Sequence, residues 1–70
     1  VILDLPKRLR VVYRNYRGEV STRTIEPKRL WLGSTEWHPE VQLLLDAHDC
    51  DKSADRTFAV RDFLKTERAE

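Results

Sequence analysis

Seventy residues make one domain, 1–70, and leave no room for a second. With 40% hydrophobic and 36% charged residues the chain can close a small core under a well-solvated surface, and Val1–Leu5, though apolar, is too short for a signal peptide or a membrane span. The formal charge of +1 hides an asymmetry: Lys7 to Arg29 holds eight basic and two acidic residues, Glu36 to Asp55 six acidic and one basic. A single cysteine, Cys50, excludes an internal disulfide and fits a reducing, cytoplasmic compartment.

Val1–Leu5 is expected to add apolar surface to the core or to end an upstream helix, which Pro6 would stop. The chain opens on Val1 rather than Met, so further residues can precede it. From Arg8 to Arg14, Leu9, Val11 and Tyr13 alternate with basic residues, the pattern of a half-buried strand. Glu19–Glu26 is rich in Val, Thr and Ile, whose branching at Cβ suits a pleated surface. Gly18 between them can supply the positive φ of a tight reversal, which makes this basic segment a β-hairpin. Pro27 then predicts a bend, followed by a short third strand, Lys28–Leu32, with Leu30 and Leu32 on one side and Trp31 on the other. Gly33–Glu40 is a loop by its turn residues. Val41–His48 is the most apolar run and reads as a fourth strand buried on both faces. Asp49–Asp55 is a polar turn, Arg56–Ala59 a fifth strand, and the spacing of Val60, Phe63 and Leu64 predicts a short C-terminal helix. Five short strands in so small a chain predict a mainly β fold. It would be a five-stranded SH3/Sm-like barrel, closed so that no edge stays exposed.

The order of features resembles a WYL domain, the Sm/SH3-like barrel of bacterial transcriptional regulators. Tyr13, Asn15 and Gly18 carry the likeness in the hairpin, followed by Arg23, Ile25, Pro27 and Leu30. Leu45, Ala47 and Asp49 continue it, and Arg56, Phe58 and Val60 end it. The triplet that names the family falls on Leu43-Leu44-Leu45, and two of its late basic positions fall on Ala59 and Asp62. The resemblance implies a sensor that binds a single-stranded nucleic acid or a nucleotide and thereby regulates an attached DNA-binding module. It implies ligand contacts at Tyr13, Arg23 and Arg56; Arg14, beside Tyr13 in the basic hairpin, joins them.

Read as residues, the basic set of Arg8, Arg10, Arg14, Arg17, Arg23, Lys28 and Arg29, interleaved with Tyr13 and Tyr16, allows two outcomes. Guanidinium forks match phosphate oxygens and aromatic faces stack on bases, or the same charges form a solvated face paired with carboxylates. Arg23 or Arg56 can equally pair with Asp49 or Asp55. Trp37 is expected to pack and anchor its loop, while Trp31 can be core or stacking platform. Asp49, Asp51, Ser53 and Asp55 alternate like the start of a calcium loop, but Ala54 replaces the required Gly and Val60 the closing Glu. His38, His48 and Cys50 lack tetrahedral zinc spacing, and Ser34, Glu36 and His38 are neighbours in a loop without a nucleophile elbow. The expectation is therefore a ligand-binding module with no enzymatic activity, metal or cofactor. The alternative is a protein–protein interaction barrel that docks its partner through Trp31 and the Leu43–Leu45 run.

Overall fold

The computed structural model describes residues 5–69, so the role expected of Val1–Leu5 lies, but for Leu5, outside the described residues. Five antiparallel strands form one sheet in the order β4-β3-β2-β1-β5. They are β1 Leu9–Arg14, β2 Val20–Gly33, β3 Gln42–Asp49, β4 Ala54–Ala59 and β5 Phe63–Arg68.

The first hairpin forms as its sequence predicts. Leu9 pairs with Ile25, Val11 with Arg23 and Tyr13 with Ser21, which puts these six side chains on one face. Asn15 clasps the reversal: its side-chain oxygen accepts from the backbone N–H of Arg17 at 2.9 Å and of Glu19 at 3.0 Å. Gly18 takes φ +80° inside this turn, where any other residue would be strained.

Pro27 does not end a strand. The two strands expected on either side of it are one, β2, which pairs through Val20–Ile25 with β1 and through Ile25–Gly33 with β3. Proline is tolerated here because β1 ends opposite Ile25, so no ladder donor is needed on that side. The register with β3 shifts between Pro27 and Arg29, a bulge that bends the strand. β2 is therefore the long central strand on which the sheet folds over.

The expected C-terminal helix is absent. Val60–Asp62 makes a single 3₁₀ turn, and the next six residues pair with β1 as β5. The spacing that suggested a helix is used within that turn, which brings Val60 and Phe63 together against the core. Beyond it, the unpaired backbone along the edge of β1 outweighs the modest helix preference of Leu, Lys and Glu. The count of five strands was thus right through two compensating errors, one strand divided and one missed.

Nor does the sheet close into a barrel. No ladder joins β4 to β5. The sheet curls instead, so that Tyr13 of β1 meets Phe58 of β4 edge to face, with ring centres 5.3 Å apart, and Phe58 meets Phe63 of β5 at 5.7 Å. Aromatic side chains fill the gap where backbone bonds would close a barrel. The concave core comprises Val11, Tyr13, Ile25, Leu45, Ala47 and Phe58. Leu44 and Leu45 are both buried although they point to opposite faces, as expected for the apolar run; Leu43 is largely exposed.

On the convex face Asp46 organises a polar cluster. Its Oδ1 accepts from the Trp31 indole at 3.0 Å and the Thr57 hydroxyl at 2.8 Å, and its Oδ2 accepts from two nitrogens of Arg29. Arg29 also lies over the Trp31 ring, 4.9 Å from its centre. Trp31 is thus anchored by its N–H and covered on its face, a packing residue and not an open platform.

Candidate functional site

Alternation along β1, β2 and β4 decides which polar groups reach the concave face. Arg23 lies opposite Val11 and Arg56 opposite Ala47, so both arginines share the core's side of the sheet. Near Tyr13 and Phe58 this surface opens into a cleft of about 640 Å³, lined by Tyr13, Arg14, Arg23 and Arg56 together. The four residues singled out from the sequence thus converge on one site. Their roles within it differ.

Tyr13 is the floor. It is buried against Phe58, with Arg23 over its other side at 5.8 Å from the ring centre. Arg23 is largely committed to the protein. Its Nε lies 3.6 Å from Oδ2 of Asp49, a fully buried carboxylate, and its Nη1 donates to the Thr22 carbonyl at 3.2 Å. Asp49 needs this neighbour: its other oxygen accepts from the N–H groups of Asp51 and Lys52, and an uncompensated buried charge would be costly. The structural alternative for Arg23 holds, and what remains is a guanidinium edge with 20% of its side chain exposed.

Arg14 and Arg56 differ from it. Neither side chain makes a hydrogen bond or an ion pair among the described residues, and the same is true of the Lys52 ammonium on the cleft wall. Elsewhere the bland reading of the basic set prevails: Arg8 pairs with Glu26, Arg10 with Glu67, Lys28 with Asp55 and Arg29 with Asp46. Among the described residues, three cations without a carboxylate partner, Arg14, Lys52 and Arg56, thus meet at the cleft, while Arg17 and Lys65 lie outside its lining. Two carboxylates also line it. Asp55 is satisfied by Lys28 at 2.8 Å and by His48 at 2.9 Å, and these two bonds hold its pKa below the ordinary carboxylate value. Asp62 has no such partner.

The rim adds two aromatic rings: Trp37, which the sequence assigned to packing, and Tyr16, a stacking candidate of the basic set that was not among the four named site residues. Trp37, expected to pack, is 80% exposed, and Tyr16 is 89% exposed; both line the cleft. Trp37 sits in a loop shaped by reciprocal backbone bonds between Thr35 and His38, and by a bond from the His38 N–H to the Thr35 hydroxyl. The signal was present in the sequence, since Gly33–Glu40 holds no Val, Ile or Leu. Tyr16 is held by Arg17, whose Nε donates to the phenol oxygen at 3.1 Å and whose guanidinium lies 5.5 Å from the ring centre. Lys52 and Asp62 offered no such signal, because only the fold brings them to the cleft.

The alternating carboxylates of Asp49–Asp55 are spent on protein groups. Asp49 is described above, Asp51 accepts from the Thr24 N–H at 2.8 Å, and Asp55 binds Lys28 and His48. Among the described residues no cluster of His, Cys, Asp and Glu is placed to hold a metal ion, and no helix is long and apolar enough to cross a membrane. Chemically, the cleft combines fixed positive charge with exposed π-faces above a tyrosine floor. Comparison with models of known families, with characterised proteins and with solved structures yields no match.

Proposed function

We propose that this chain is a WYL-like regulatory module whose cleft takes a single-stranded nucleic acid or a nucleotide, in the control of transcription in a bacterial cytoplasm. The observation that carries this reading is the meeting of three unpaired cations, Arg14, Lys52 and Arg56, with two exposed aromatic rings, Tyr16 and Trp37, around one cleft. Phosphates supply affinity by displacing counterions, and bases stack on rings whatever their sequence. Of the residues carried over from the family, Arg56 becomes a phosphate contact, together with Arg14 of the basic hairpin, Tyr13 is the floor, and Arg23 is the group that keeps Asp49 neutralised beneath it.

The test is a titration of the isotope-labelled domain with short single-stranded DNA and RNA at two salt concentrations, followed by amide and indole NMR shifts. Salt-sensitive shifts at Arg14, Lys52, Arg56 and the Trp37 indole are expected. No shift at millimolar oligonucleotide overturns the proposal.

A second reading, a protein-interaction module, rests on a separate surface. Leu32 pairs with Leu43 across β2 and β3, and Leu32, Leu43 and nearby Val41 are exposed. Two of the residues first expected there, Leu44 and Leu45, are buried, which shrinks this patch. Shifts confined to it on adding a protein partner, with a silent cleft, would favour that reading.

A further inference from the structure

Asp62 is the anomaly of the cleft. It is half-buried in the 3₁₀ turn and lines a basic site, and its carboxylate has no hydrogen-bond or ion-pair partner among the described residues. Its neighbour Arg61 turns away to Glu40, at 3.1 Å, so it does not neutralise the carboxylate. Asp55, the other acid lining the cleft, is already bound to Lys28 and His48. A free carboxylate weakens phosphate binding at such a site, and partial burial adds a desolvation cost. Both costs are offset if the carboxylate meets donors on the ligand.

We propose that Asp62 reads the Watson–Crick edge of a base stacked at the cleft and makes the site selective for guanine. This rests on the cleft being a nucleic-acid site. In single strands the Watson–Crick edge is free, and it is the edge that sequence-selective proteins hydrogen-bond. Guanine presents two adjacent donors there, N1–H and N2–H, which match the two oxygens of one carboxylate. Adenine sets the N1 lone pair beside its amino group, cytosine sets N3 beside its own, and thymine or uracil flanks N3–H with two carbonyl oxygens. Each of these turns a lone pair toward the second oxygen of Asp62. A fork of two charge-assisted bonds therefore discriminates where stacking on Trp37 and Tyr16 does not.

The experiment measures binding of thymidine hexamers carrying one central guanine, adenine or cytosine, and of the all-thymidine hexamer, by fluorescence anisotropy at low salt. The wild-type protein is expected to prefer the guanine strand by about tenfold, the usual size of one bidentate base contact. In Asp62→Asn and Asp62→Ala proteins, checked for folding by their amide spectra, that ratio falls toward one. Arg56→Gln weakens all four strands together and keeps the ratio. Equal affinity for the four strands in the wild type overturns the inference while leaving the nucleic-acid reading standing. An undiminished guanine preference in both Asp62 variants also overturns it. Failure of every strand to bind overturns the nucleic-acid reading itself, and the inference with it.

Discussion

The salt dependence of binding can be worked from the ion-pair pattern. Arg14, Lys52 and Arg56 line the cleft without carboxylate partners among the described residues, whereas Arg23 is neutralised by Asp49. Each phosphate neutralised on a single strand contributes about −0.7 to the slope of log K against log salt, so three cations predict a slope of about −2. Between 50 and 200 mM salt this amounts to a loss of about twentyfold in affinity. Arg56→Gln removes one contact, which should lower affinity for every sequence and bring the slope to about −1.4, or about sevenfold over the same range. Arg10→Gln is the control: Arg10 alternates with the buried Val11 and pairs with Glu67 at 3.5 Å, away from the cleft. The assay is anisotropy of a labelled hexamer at four salt concentrations for the three proteins. A flat wild-type profile refutes the reasoning. So does an Arg56 variant with an unchanged slope, or an Arg10 variant altered as much as the Arg56 one.

Trp37→Ala should leave the free energy of urea unfolding within about 0.5 kcal/mol of wild type, because the ring is exposed, yet cost about 1–3 kcal/mol in oligonucleotide binding. A Trp37 variant that unfolds more easily but binds normally would return the residue to a packing role. Phe58→Ala removes the ring that joins Tyr13 to Phe63 across the open side of the sheet, and should cost about 3–5 kcal/mol in denaturant unfolding, most of what so small a domain has. Asp46→Ala strands the Trp31 and Thr57 donors and should cost about 2 kcal/mol. Partial burial raises the Asp46 pKa, but the bonds from Trp31, Thr57 and Arg29 outweigh it and leave the pKa below the ordinary 3.8. A depressed folded-state pKa means stability that is present above 3.8 and lost as pH falls through the lower, folded value. Acid titration of thermal stability should therefore fall more steeply in the wild type than in Asp46→Asn, and identical profiles would sink this account of Asp46.

Much of the fold was legible in the chain. Strand alternation placed Leu9, Val11 and Tyr13 on the core side, and Gly18 marked the reversal where a positive φ was needed. The opposition of Leu30 and Leu32 to Trp31 also survived. These are local facts, because a pleat alternates its side chains whatever lies beyond it.

Other features were decided by residues far apart in the chain. Pro27 could stay inside β2 only because β1 stops at Ile25 and a bulge absorbs the misfit with β3. Phe63–Arg68 became a strand because an unpaired edge of β1 was waiting for it. Which cations were free was settled by where the carboxylates landed: Asp49 took Arg23, Glu67 took Arg10, and no carboxylate among the described residues reached Arg14, Lys52 or Arg56. The sequence by itself determined the strand-forming pattern and the kinds of charge available. Only the tertiary structure decided which of those charges remained unspent and which aromatic rings stood beside them, since pairing depends on distances in space that linear spacing does not set.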